Sequence, residues 1–127
     1  MVDKLRTGRQ GEKLARRFLK RQGYRILCKN YTCPIGEIDL IALTERTIAF
    51  VEVKTRRGTE HADPEDAVTP AQQRNIHKVA RHWLSQRRAD AYAWRFDVVS
   101  VTLQEGDKPV IRHTPDAFRP PQGGRHG

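Results

Sequence analysis

The stretch "IDLIALTERTIAFVEVK", residues 38–54, holds two apolar runs joined by a polar turn, and charged residues interrupt both runs. Period-two alternation with β-branched residues on each side of a short turn restricts this stretch to a β-hairpin of a buried sheet. With the turn at Thr44–Thr47, Leu43 faces Ile48, and the register then sets Asp39 opposite Glu52 and Glu37 opposite Lys54. Side chains alternate along a strand, so Glu37, Asp39, Glu52 and Lys54 share one face. Ile38, Leu40, Val51 and Val53 are expected on the other.

Directly opposed side chains in such a pair lie about 5 Å apart, where like charges destabilise. A divalent cation between two carboxylates reverses that sign, and hard oxygen ligands suit Mg²⁺ or Mn²⁺ with waters and a phosphate completing the shell. Lys54, two residues beyond Glu52, is placed to neutralise a phosphate or to help deprotonate water. An acid pair and an amine on one face are apparatus for hydrolysing a phosphodiester. The bland alternative is an exposed strand carrying ordinary cross-strand Glu–Lys pairs.

Two more residues are candidates to converge on this face. Residues 5–22 read as a helix with Gly8, Gly11, Leu14, Ala15, Phe18 and Leu19 on one arc and a row of Arg and Lys opposite. Glu12 lies at the seam, where it either points to the end of the sheet, to hold water or an ion, or pairs with Arg16 one turn on. Thr69, Pro70 and Gln72 spell the start of a second helix, with a Thr cap, Pro at the first position and a capping box. Gln73 falls in its first turn, either bonding Lys54 or a phosphate, or facing water. Asp97 in "RFDVV" reads as structural, pairing with Arg95 or a helix terminus.

Further strands are expected at 24–29, 93–103 and, as a short edge, 109–113, giving the order αβββαββ. That is an α/β fold, a mixed β-sheet flanked by helices. Residues 1–114 read as a single domain, and 115–127, rich in Pro and Gly, as a disordered tail. The segment 55–68 reads as a mobile loop. The start lacks an apolar leader and no run approaches a membrane span, so a cytoplasmic location without a membrane partner is expected.

Charge narrows the partner. Twenty-four Lys and Arg against fifteen Asp and Glu leave a net +9, which suits a polyanion. Cys28 and Cys33 have poor spacing for a metal and read as plain thiols, and the scattered histidines indicate no zinc site. The few aromatics fall mostly on core-facing stripes, so no stacking platform for single strands is expected and backbone contact with duplex or branched DNA is favoured.

The segments "GRQGEKLARRFLKRQGYRIL", "NYTCPIGEIDLIA", "IAFVEVKTRR", "AVTPAQQRNIHKVARHWL" and "RFDVVSV" resemble, in that order, the YraN family of bacterial proteins, regarded as predicted nucleases. That family in turn resembles the restriction-endonuclease-like superfamily with PD-(D/E)xK sites, and within it the archaeal Holliday junction resolvases. The resemblance implies Asp39 as first acid, Glu52 as second and Lys54 as the lysine, with Ile38 where the nominal motif has Pro. It implies Glu12 as the helix-borne glutamate and Gln73 as the glutamine after the ExK strand. Asp39, Glu52 and the Val53 carbonyl would hold Mg²⁺ or Mn²⁺. Arg9, Arg16, Arg56 and Arg57 would grip the DNA backbone, in a salt-dependent manner. Resolvases act as dimers on four-way junctions, so a homodimer is an expectation of the same kind. The expected activity is metal-dependent endonuclease cleavage of DNA; the alternative is a non-catalytic nucleic-acid-binding or recruitment module on the same fold.

Overall fold

The computed structural model describes residues 4–58, 68–89 and 91–119. The elements run α1 (Lys4–Arg21), β1 (Arg25–Cys33), β2 (Gly36–Thr44), β3 (Thr47–Arg57), α2 (Pro70–Arg87), β4 (Ala93–Leu103) and β5 (Val110–Phe118). The five strands form one sheet in sequence order. Every neighbouring pair is antiparallel except β3 and β4, which are parallel. Parallel neighbours require a crossover, and α2 supplies it. This is the helix-flanked mixed α/β sheet expected from the restriction-endonuclease-like resemblance, in the expected order αβββαββ.

Each helix covers its own cluster of buried side chains. Beneath α1 lie Ala15, Leu19, Leu40, Val51, Val99 and Val101. Beneath α2 lie Ile38, Ile41, Phe50, Ile76, Val79 and Val98. The start of α2 is capped as the sequence predicts. Thr69 accepts a hydrogen bond from the Gln72 backbone N–H, and Gln72 accepts one from the Thr69 N–H.

Three boundaries differ from the sequence reading. β1 continues to Cys33, because Asn30 adopts a left-handed conformation (φ 52) inside the strand instead of opening a turn. β3 continues through Thr55–Arg57, which pair with Val101–Leu103 of β4. Residues 59–67 of the expected mobile loop lie outside the described residues. β5 runs on past Thr114 to Phe118, so Pro115–Phe118 belong to the sheet and not to a tail. Pro115 is tolerated there because β5 is an edge strand. The Asp116 N–H bonds Asp97 at 3.0 Å, and Phe118 stacks on Phe96 with ring centroids 5.2 Å apart. Residues 120–127 of the expected tail lie outside the described residues.

The seat of α1 on β3 explains a glycine that helix propensity disfavours. A Cβ on buried Gly11 would stand 1.8 Å from Thr55 Oγ1 and 2.8 Å from Thr55 Cβ. Close approach of the two backbones therefore outweighs the roughly 1 kcal/mol that Ala would contribute to an isolated helix. Gly11→Ala is expected to lower stability by about 1–2 kcal/mol through overpacking. Thr55→Ala in the same chain should restore part of it, because it removes Oγ1 and Cγ2 but keeps the Cβ at 2.8 Å. Urea unfolding of the two single variants and the double variant checks this, and a Gly11→Ala protein at or above wild-type stability would refute the close-packing account.

Candidate active site

The hairpin register is the expected one. β2 and β3 pair through Leu40↔Val51, Ile41↔Phe50, Ala42↔Ala49, Leu43↔Ile48 and Thr44↔Thr47. The ladder ends at Leu40↔Val51, one position before Asp39 and Glu52. There a side chain replaces the backbone: the Val53 N–H donates to Asp39 Oδ2 at 2.8 Å. One residue's N–H and C=O leave the same edge of a strand, so the Val53 carbonyl faces β2 as well.

The expected alternation fails at one position. Leu40, Val51 and Val53 lie with the α1 cluster, but Ile38 lies with the α2 cluster. The chain thus changes face across Asp39. The irregularity coincides with the end of the β2–β3 ladder, so Asp39 and Glu52 sit where the two strands part. Both are half-buried.

Their electrostatics describe a site strained by its own charge. Burial pushes the Asp39 carboxyl up to about 6; the charges of Glu12 and Glu37 push the same way, against the Val53 N–H and Lys54. Burial pushes Glu52 up to about 8, and the Asp39 charge adds to it, while Lys54 and the Asp39 backbone N–H pull it down. Glu52 thus keeps its proton at neutral pH, where an ordinary surface acid has released it, while Asp39 is mostly ionised there but takes up its proton at a higher pH than an ordinary surface acid does.

The fold brings most of the sequence-derived set into one electrostatic neighbourhood. Asp39 feels Glu12, Glu37 and Lys54, and Glu52 feels Asp39, Lys54 and Glu37. Among the described residues Glu12 makes no ion pair with Arg16. Lys54 likewise has no ion-pair partner among the described residues, and its charge acts on both Asp39 and Glu52. Glu37 is the member to which sequence reasoning gave no role.

The outer residues divide differently. Arg9, one turn before Glu12, is exposed, and Arg16, one turn after it, is half-buried. Arg56 is half-buried on β3 two residues past Lys54. Arg57 Nε donates to buried Thr7 Oγ1 at 3.2 Å, so it ties β3 to α1. The Gln73 side-chain amide donates to the Val68 carbonyl at 3.0 Å, which engages it with the segment entering α2.

The donor set fits a hard divalent ion. Two crowded carboxylates and a backbone carbonyl leave room for waters and substrate oxygens, as Mg²⁺ and Mn²⁺ prefer. No group of three or more His, Cys, Asp or Glu that could hold an ion gathers among the described residues, so a closed zinc-type site is not formed there. Cys28 and Cys33 are free and half-buried, packed against the α2 cluster. No helix among the described residues is long and apolar enough to cross a membrane.

Asp97 is structural, as its sequence reading had it. Wholly buried, it accepts from Arg95 Nε at 2.9 Å, Arg95 Nη2 at 3.3 Å and the Asp116 N–H at 3.0 Å, and pairs with His113 Nε2 at 2.9 Å.

The profile described as "Uncharacterised protein family UPF0102" matches residues 11–101. The UPF0102 protein of Syntrophotalea carbinolica is 45% identical over 115 residues, covering 91% of this chain and 93% of its own. That of Syntrophus aciditrophicus is 47% identical over 119 residues, covering 93% and 92%. That of Geobacter metallireducens is 49% identical over 112 residues, covering 87% and 90%. The matched span includes Glu12, Asp39, Glu52, Lys54 and Gln73, and the chain belongs to the UPF0102 (YraN) family.

Proposed function

We propose that this protein is a metal-dependent endonuclease that hydrolyses DNA phosphodiester bonds, with duplex or branched DNA as substrate. The observation that carries the reading is the pair of half-buried carboxylates, Asp39 and Glu52, meeting at the end of the β2–β3 ladder, with the charge of Lys54 acting on both. A merely structural hairpin gains nothing from two acids whose burial and mutual repulsion raise the proton affinity of both. A cation and a phosphate give that arrangement a use.

Asp39, Glu52 and the Val53 carbonyl would hold Mg²⁺ or Mn²⁺. When bound, the cation offsets negative charge at the phosphate and lowers the pKa of water. The Lys54 ammonium lies beside the pair and stabilises charge that develops on the phosphate oxygens. The Glu12 carboxylate accepts a hydrogen bond from water and so aims it. Gln73 secures the segment entering α2. Arg9 and Arg16 flank Glu12 on α1 and, with Arg56, contact the neighbouring backbone phosphates. That binding weakens with salt as counterions compete.

Cleavage of labelled linear, flapped and four-way-junction DNA with Mg²⁺ or Mn²⁺ tests the reading. Wild type is expected to cut, while Asp39→Ala, Lys54→Ala and wild type in EDTA are not. Salt-sensitive binding without cutting on any substrate, unchanged in folded variants, would replace the nuclease with the non-catalytic binding module.

A further inference from the structure

Three distant segments build an aromatic cavity that the pattern of single strands did not reveal. An open cavity of about 410 Å³ at the start of β4 is lined by His77, Trp94, Arg95, Phe96, Phe118 and Arg119, among others. Phe96 and Phe118 are nearly buried and stack at 5.2 Å with ring planes 13° apart, forming a fixed floor. Trp94 and His77 are only half-buried, with centroids 5.5 Å apart and planes inclined by 38°. Trp94 is braced edge-on by Phe50 at 5.9 Å and by Phe96 at 5.6 Å, so little side-chain freedom remains to be lost on binding.

The surroundings of the cavity are cationic. Arg46 precedes lining residue Thr47 and lies over the Tyr92 ring at 5.6 Å. Arg74 and Arg81 are exposed on α2, one turn on either side of His77. Two acids oppose them. Asp97 is wholly buried and engaged by Arg95, and Asp116 pairs with Arg119 at 2.9 Å. Half-open rings, with Arg95 and the exposed Arg119 in the lining, each paired with an acid, match the chemistry of a base with its phosphate, since every base presents a π-face to stack.

We propose that this cavity takes an unpaired base of a single-stranded nucleic acid, stacked on Trp94 and His77, with the adjoining phosphate on the arginines of the lining. The proposal deepens the nuclease reading and rests on it for the choice of DNA: it names a substrate with a single-stranded arm. Thr47 at the cavity and Glu52 at the acid pair are five residues apart on β3, about 16 Å at 3.3 Å per residue. One unpaired arm would reach both.

The test does not use cleavage. A fluorescein-labelled oligothymidylate and an abasic oligomer of the same length are titrated with the full chain in EDTA and followed by anisotropy. The base-bearing oligomer is expected to bind about tenfold more tightly, in line with one stacked base. Trp94→Leu and His77→Ala should each abolish that difference. Equal affinity for the two oligomers, no binding of either, or a preference that survives both variants would overturn the proposal. Trp94 packs on Phe50, so should its variant fail to fold, His77→Ala alone carries the result. A protein that cuts duplex DNA with Mg²⁺ but ignores bases refutes this inference and leaves the nuclease standing. Base-dependent binding without cleavage does the reverse.

Discussion

Glu52→Gln is expected to abolish cleavage and, in the metal-free protein above neutral pH, to stabilise the fold. The loss of activity should be about 1,000-fold, equivalent to some 4 kcal/mol of barrier, because the amide cannot supply the negative charge that would hold the cation in the proposed nuclease. The gain in stability follows from the sign of the shifts. Asp39 is raised to about 6 and Glu52 to about 8, so the fold binds protons that the unfolded chain has released. The stability this contributes is fully present below pH 4 and is lost as pH rises through those two values. A neutral, isosteric glutamine takes away most of that loss and also relieves Asp39 of a neighbouring charge. The expected gain at pH 8.5 is about 1–2 kcal/mol, below the full linkage value because the group is half-buried and screened. Adding Mn²⁺ inverts the comparison, since an ion at 100 times its dissociation constant stabilises wild type by about 2.7 kcal/mol and the variant by far less. Thermal unfolding with and without Mn²⁺, at pH 5 and pH 8.5, separates these terms. A variant less stable than wild type in EDTA at pH 8.5 would show that the acids are held by structural partners.

Asp97→Ala has the opposite character: a large loss of stability that does not arise in the candidate site. Burial pushes this carboxyl up, but His113, Arg95 and the Asp116 N–H together hold it below its ordinary value. Its contribution is therefore present above pH 4 and lost as pH falls further, the reverse of the acid pair. Removing the carboxylate leaves Arg95 with only the Tyr24 hydroxyl, 2.6 Å from its Nη2, and frees both His113 and the Asp116 N–H. The edge strand β5 and the chain just beyond α1 lose their common anchor. Breaking a buried charge network in this way lowers stability by about 3–5 kcal/mol. Urea unfolding at pH 7 measures it. A stable Asp97→Ala protein that has lost cleavage would instead assign this aspartate to the chemistry.

The sequence by itself determined the hairpin and its register as far as Leu40↔Val51. Both follow from local alternation around one turn, which a 17-residue window contains in full. The capped start of α2 was legible for the same reason, because its donors and acceptors lie within four residues of one another. The basic and apolar arcs of α1 needed only the helical period. What lay beyond local pattern depended on partners far along the chain. Pro115 reads as an ending until Asp97, nineteen residues before Asp116, captures the Asp116 N–H. Gly11 reads as a weak point in a helix until Thr55 arrives against it. Arg57 reads as a free cation until Thr7, fifty residues away, accepts its hydrogen bond. The change of face across Asp39 and the aromatic cavity at Trp94 belong to the same class. Side-chain periodicity is written in neighbouring residues, but burial and unpaired ladder ends exist only once distant segments have closed on one another. The tertiary structure alone therefore decided that Asp39 and Glu52 are half-buried, crowded and raised in proton affinity.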